Sequence, residues 1–247
     1  MQTMIHAHRG ASAYMPENTL EAFSLAVEQK ADYIELDVHL SKDTEIVVAH
    51  DELLDRVSGG TGYINDHTLN ELKALNFGKL YPGVTCRIPT LAEVFDLVKP
   101  SNLNLNIEMK TIDRMYPELP GKLLALAAEF GMQDRIIYSS FNHYSLLQIK
   151  QGGSSSAKIG LLYNMGMVDP WVYAKHIKAD AIHPHYSIIA ALPETVIRCH
   201  ENNIQVNAWT ADDSKIIGLL LKCGVDGIIT NKPDIAANCR SNASEGV

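Results

Sequence analysis

Asn102-Leu103-Asn104-Leu105-Asn106-Ile107-Glu108-Met109-Lys110 alternates polar and apolar residues without a break. On a strand, Asn104, Asn106, Glu108 and Lys110 share one face, and Leu103, Leu105, Ile107 and Met109 share the other. An antiparallel edge strand with one wet face uses such a pattern. So does a barrel stave, which packs its apolar face on helices and turns its polar face to the lumen near the carboxyl end. The downstream sequence chooses between them. Short apolar runs at Leu105–Met109, Ile136–Ser139, Lys158–Leu162, Ala181–His183, Ile204–Ala208 and Gly227–Thr230 alternate with helix-like stretches. The latter are Leu119–Phe130, Tyr144–Gln151, Pro170–Ile177, Pro193–Asn202 and Asp213–Lys222. This beat predicts parallel βα units and the lumenal reading.

Upstream, Met4–His8 and Tyr33–Val38 raise the strand count to eight, the number that closes a TIM (β/α)8 barrel. A ninth run, Glu45–Ala49, follows after only Ser41-Lys42-Asp43-Thr44, too short a link for a parallel crossover. It is therefore expected as the antiparallel arm of a hairpin that returns His50 towards Glu35 and Asp37. Residues 51 to about 103 break the beat with Ser58-Gly59-Gly60-Thr61-Gly62, a helical pattern at Thr68–Leu75, Pro82-Gly83 and a helix at Leu91–Val98. We read them as an insertion within a single domain spanning residues 1–247. The glycine-rich stretch lacks the Gly-Lys-Ser/Thr ending of a phosphate loop and reads as a turn. Gly152-Gly153-Ser154-Ser155-Ser156 reads as a surface loop, and the polar tail after Cys239 as frayed.

With 46% hydrophobic residues, the chain can bury a large core. A net charge of −8 argues against nucleic acid or an anionic membrane as the main partner, so an anionic substrate needs local attraction. Cys86, Cys199, Cys223 and Cys239 show no metal spacing and fit reduced thiols, although a disulfide stays open. The histidines of the first strand interrupt any signal-peptide core, and no apolar run approaches membrane-spanning length. A soluble, cytoplasmic protein is expected.

Period-2 alternation puts Glu35 and Asp37 on one face of their strand, and His6 and His8 on one face of theirs. Adjacent acids on a rigid strand repel unless a cation lies between them. With Glu108 they make an oxygen-rich set suited to Mg²⁺ or Ca²⁺ rather than to zinc. His8 and His50 are the candidates for proton transfer near neutral pH. Arg9 and Lys110 are placed cations able to hold an oxyanion. His183 and His185 end a late strand and are weaker candidates. Trp209 ends another, either as core or as a rim aromatic on an aliphatic substrate.

Several ordered motifs resemble the glycerophosphodiester phosphodiesterases, a branch of the phospholipase C-like phosphodiesterases, in their bacterial cytosolic form. They begin with His8-Arg9-Gly10, Pro16-Glu17-Asn18-Thr19, Glu35-Leu36-Asp37-Val38, His50-Asp51 and Asp55-Arg56. They continue through Ile88-Pro89-Thr90-Leu91, Asn106–Lys110, Ser140-Phe141, Trp209-Thr210 and Gly224–Pro233, so that the likeness runs from residue 5 to about 236. The resemblance implies a TIM barrel that hydrolyses a glycerophosphodiester to sn-glycerol 3-phosphate and an alcohol. It implies Glu35, Asp37 and Glu108 as ligands of a divalent cation, with His8 and His50 as acid and base. Arg9 and Lys110 would hold the phosphate, and Phe141 and Trp209 the rest of the substrate. Two departures from the pattern are small. Ala211-Asp212 follows Trp209-Thr210 where many members have a Val-Asn pair, and Asn231 stands where Asp is frequent. Neither is expected to touch the chemistry. Related barrels acting on lysophospholipids or phosphoinositides are the enzymic alternatives, disfavoured by the lack of an obvious apolar rim. A barrel that binds phosphodiesters without cleaving them is the other. The expected partner is a small molecule, without nucleic acid or stable membrane insertion, and a homo-oligomer stays open.

Overall fold

A computed structural model of the chain describes residues 2–111, 116–152 and 156–245. Among these residues one sheet is formed by nine strands. They are β1 (Met4–His8), β2 (Tyr33–Leu40), β3 (Ile46–Val48), β4 (Asn104–Met109), β5 (Ile136–Ser140), β6 (Lys158–Tyr163), β7 (Ala181–Pro184), β8 (Gln205–Ala208) and β9 (Gly227–Thr230). All but β3 run parallel, and pairing of β1 with both β2 and β9 closes the barrel. The eight staves expected from the sequence are these eight. The ninth run, β3, is antiparallel to β2 with Val38 opposite Val48, the predicted hairpin.

Alternation along the strands sorts the chain into two layers. Ile34, Leu36 and Val38 of β2, and Leu105, Ile107 and Met109 of β4, enter a core shared with the outer helices. The helices are α1 (Leu20–Glu28), α2 (Leu69–Ala74), α3 (Leu91–Val98), α4 (Leu119–Phe130), α5 (His143–Gln151), α6 (Pro170–His176), α7 (Tyr186–Ala191), α8 (Glu194–Glu201), α9 (Ser214–Cys223) and α10 (Pro233–Glu245), and all but α2 contribute to that core. Caps fix their ends. Asp213 accepts from the Lys215 and Ile216 amides at the head of α9, and Gly224 closes it at φ +76°, where other residues are strained. Thr90 and Glu93 form a reciprocal capping box on α3, as Thr68 and Glu71 do on α2.

Within residues 51–103 the two helices do different things. Leu91, Val94, Phe95 and Val98 of α3 join the barrel core. A separate cluster holds Val47, Ala49, Leu54, Val57, Ile64, Leu72, Phe77 and Ile88, so a small lobe packs on itself beside the barrel mouth. Three helices were not anticipated. α1 is short and buries only Ala22, Phe23 and Ala26, too brief a stripe to stand out. α7 is shorter still. After Cys239 the chain is helical through Glu245 rather than frayed, because the Arg240 guanidinium donates to Thr3 O at 2.9 Å and pairs with Asp32 at 2.5 Å; the last two residues lie outside the described ones. The loop expected at Gly152–Ser156 falls mainly on 153–155, outside the described residues. All four cysteines are free, and no helix among the described residues is long and apolar enough to cross a membrane.

Below the mouth, the barrel interior holds histidine. His6 stacks on Tyr33 with ring centroids 4.2 Å apart, and Asn207 Nδ2 donates to His183 Nε2 at 2.9 Å. Burial drives the His6 and His183 rings down to about 3 and His39 to about 4. An unfolded chain protonates them near 6.5, so between about 6.5 and 4 it binds more protons than the native state, and stability falls as pH falls. Each ring contributes a slope of up to about 1.4 kcal/mol per pH unit. Urea unfolding at pH 7 and pH 5 should show this loss, and His183→Gln should remove about a third of the slope contributed by the three rings.

Candidate active site

The carboxyl end of β1 turns sharply. Arg9 adopts φ +55° and Gly10 φ +83°, and a Cβ on Gly10 would lie 2.7 Å from the backbone of Ala22 on α1. Only glycine lets α1 pack this close. The turn aims the Arg9 amide at Glu35 Oε2, 2.9 Å away, and brings Arg9 Nε within 3.5 Å of Asp37 Oδ2.

Strand register supplies the acids. His8 lies opposite Glu35 across β1–β2, and Asp37 opposite Glu108 across β2–β4. Ligand atoms of Glu35, Asp37 and Glu108 lie within 4.8 Å of one another, and all three side chains are buried. Burial and the neighbouring Asp37 and Glu108 push the Glu35 carboxyl well above its ordinary range. Burial and Asp37 raise Glu108 to about 7. Asp37 goes the other way. Burial alone would raise it, but Lys110, Arg9 and His50 together hold it low. Asn18 Nδ2 also donates to Asp37 Oδ2 at 2.8 Å. Lys110 Nζ stands 2.8 Å from Glu108 Oε1, 3.7 Å from Asp37 Oδ1 and 3.1 Å from His50 Nε2. Asp37 Oδ1 is buried without a hydrogen-bond donor.

The hairpin does what its length implied. The Ala49 amide donates to Asp37 O at 3.0 Å, and His39 Nε2 lies 3.2 Å from His50 O, so His50 is set over the acids. Its Nδ1 lies 2.6 Å from Asp51 Oδ1, Arg56 Nε donates to Asp51 Oδ2 at 2.5 Å, and the Arg56 and Arg9 guanidinia both bind Glu17. Burial, with Arg9 and Lys110 adding, lowers the His50 ring, while Asp37 opposes the shift. His8 falls to about 4, first through burial and then through Arg9. Its Nδ1 lies 2.6 Å from Asn231 Oδ1.

His8, Arg9, Glu35, His50, Glu108, Lys110, Phe141 and Trp209 line one pocket, and Asp37 lies behind them. All nine candidate residues are thus in one place. The Phe141 and Trp209 rings meet edge to face at 5.5 Å, and Trp209 Nε1 donates to His183 O at 2.7 Å. His183 sits inside the barrel and His185 packs on Trp209, neither of them in the pocket lining.

Four partners escaped the sequence reading as individuals. Glu17, Asn18 and Asp51 lie inside motifs already noted, but nothing in their spacing shows what they bind. Asn231 was expected to stand clear of the chemistry, and it lies against His8 because β9 is the neighbour of β1. The apolar rim also differs from expectation. Tyr14 and Met15 on the loop after β1, Tyr144 in the first turn of α5, and Met165 and Val168 on the loop after β6 are exposed on the mouth side.

Residues 8–235 match the model of the glycerophosphoryl diester phosphodiesterase family. A glycerophosphodiester phosphodiesterase from Caldanaerobacter subterraneus is 44% identical over 96% of this chain and 98% of its own. The crystal structure of one from Thermotoga maritima superposes with a TM-score of 0.77 at 30% identity, covering 96% of this chain and 98% of its own. An Oleispira antarctica phosphodiesterase, solved with the product sn-glycerol-3-phosphate, gives 0.82 at 27% identity and covers 97% of each chain. The glycine at the β1 turn supplies a local test. Gly10→Ala should lower unfolding stability by about 1–3 kcal/mol in urea, through its positive φ and the collision with α1.

Proposed function

The chain belongs to the glycerophosphoryl diester phosphodiesterase family, and on that premise we propose that it hydrolyses a glycerophosphodiester to sn-glycerol 3-phosphate and an alcohol. The observation that carries this is the meeting of three buried acids, two cations and two histidines in one pocket at the barrel mouth. The product complex of the Oleispira relative supports the glycerol phosphate half.

The acids suit a divalent ion. Three like-charged groups are buried together, Glu35 and Glu108 are pushed towards protonation, and Asp37 Oδ1 lacks a donor. Glu35, Asp37 and Glu108 would hold it, and an all-oxygen donor set favours Mg²⁺ or Ca²⁺. When bound, such an ion supplies positive charge to a phosphate oxygen. The side chains do the rest. Arg9 and Lys110 bind the phosphate and spread the charge that grows on it. One histidine takes the proton of the attacking hydroxyl and the other protonates the departing alcohol oxygen; if the attacker is the glycerol C2 hydroxyl rather than water, a cyclic phosphate forms and a water then opens it to the monoester. Asp51 holds the His50 ring at Nδ1 and leaves Nε2 to exchange protons. Phe141 and Trp209 wall the organic part of the substrate.

The exposed apolar residues of the mouth favour one second reading, a lysophospholipid or other lipid phosphodiester as substrate. A binding barrel without turnover is less consistent with the complete set of acids and histidines. Release of glycerol 3-phosphate from glycerophosphocholine should occur with Mg²⁺ or Ca²⁺ and stop with EDTA. Release from lysophosphatidylcholine alone would move the assignment to the lipid, and no release from either would refute hydrolysis. His50→Ala should lower kcat by on the order of 10²- to 10⁴-fold while calorimetric metal binding persists. Equal loss of both would remove its role. Glu35→Gln should weaken metal affinity, with activity partly restored at high metal concentration.

A further inference from the structure

We propose that Asp212 and Asn231 act as an orienting pair that fixes which nitrogen of His8 carries the proton. The argument starts from an amide with only one acceptable orientation. Both Asp212 oxygens already accept: Oδ1 from the Thr230 hydroxyl at 3.0 Å and the Asn231 amide at 2.8 Å, and Oδ2 from Asn231 Nδ2 at 2.6 Å. Turning the Asn231 side chain over would set its carbonyl oxygen against a carboxylate, two acceptors with no hydrogen between them. The NH₂ therefore faces Asp212, and Oδ1 faces His8.

The ring follows. Asn231 Oδ1 can only accept, so at 2.6 Å His8 Nδ1 must donate, and a neutral ring then holds its lone pair on Nε2. The Ser12 hydroxyl, 2.7 Å from both His8 O and Asn231 Oδ1, ties the same backbone turn to the same amide. The Ala13 amide donates to Asn231 O at 3.1 Å. Asp212 follows β8, Asn231 directly follows β9 and His8 ends β1, so the ends of three adjacent staves share the arrangement.

The two histidines are thus oriented by different means. His50 has a carboxylate directly on Nδ1. His8 has a neutral amide, with the carboxylate one residue further out. Asp212 and Asn231 are positioning residues, since Asn231 touches only the non-reacting nitrogen and Asp212 touches only Asn231 and Thr230 among these groups. The inference rests on the proposed hydrolysis only for the use made of the Nε2 lone pair.

Ring-nitrogen NMR of ¹⁵N-histidine-labelled protein tests it, with His8 assigned by its loss in His8→Gln. Native protein should show the Nδ1–H tautomer. Asp212→Asn offers an NH₂ to Asn231 and lets that amide turn, so an Nε2–H population should appear. With it kcat should fall by on the order of 10- to 100-fold, with KM changed less. Asn231→Asp sets two carboxyl groups together and should also lose activity. The exchange Asp212→Asn/Asn231→Asp keeps the net charge and restores every donor and acceptor, so it should recover the Nδ1–H ring and most of kcat. An Asp212→Asn protein that keeps the native tautomer overturns the proposal. So does a double exchange that fails to fold, or that folds without regaining the Nδ1–H ring and most of kcat, because the proposal makes the two side chains interchangeable. If a single variant does not fold, the double exchange decides. The spectra need no substrate, so a Nδ1–H ring in a native protein without diesterase activity would refute the hydrolysis and leave the orienting pair standing.

Discussion

Mutual repulsion of three carboxylates organises the barrel mouth. Glu35, Asp37 and Glu108 come within 4.8 Å of one another, a spacing at which two full charges repel by about 3 kcal/mol at an effective dielectric of about 20. The strands force this closeness, because Asp37 and Glu108 occupy paired register positions and cannot move apart without breaking the sheet. Positive groups converge in answer. Lys110 reaches two of the acids, Arg9 reaches Asp37 through its side chain and Glu35 through its backbone, and His50 hangs above. An unpaired buried acid costs more than a paired one, so the cations stabilise the barrel as well as preparing a site for an anion.

That tension also sorts the acids. Asp37, surrounded by Lys110, Arg9 and Asn18, remains a firm anion. Glu35 and Glu108 carry the strain of the cluster as raised carboxyls. Similar side chains two residues apart on one strand therefore differ in charge state because their neighbours differ.

Much of this was legible in one dimension, for a definite reason. Period-2 alternation in Glu35-Leu36-Asp37 and in Asn104–Lys110 reports which face of a strand a residue occupies, and barrel closure sends every such face to one lumen. The link between β2 and β3 was too short for anything but a hairpin, which placed His50. Contacts joining the two ends of the chain left no such trace. Asn231 meets His8 across 223 positions, and Arg240 meets Asp32 across 208. No periodicity encodes a meeting of that kind. Short α1 and α7 escaped because a helix with three buried residues, or one, shows too little of its 3.6-residue repeat.

The separate packing of the lobe has a consequence of its own. Val47 and Ala49, flanking the run into His50, belong to its cluster and not to the barrel core. His8 is therefore anchored in the barrel alone, whereas His50 stands where β3, held to the barrel by Ile46, Val48 and the Ala49–Asp37 backbone bond, passes into a smaller unit docked through contacts such as Arg56 with Glu17 and Tyr81 with Ser12. Being folded and being competent are then separate conditions for this chain. A molecule with an intact barrel and an undocked lobe keeps its acids, Arg9, Lys110 and the course of β3, but loses the Asp51–Arg56–Glu17 chain that steadies the His50 ring. The cohesion of eight apolar residues governs how often that molecule occurs.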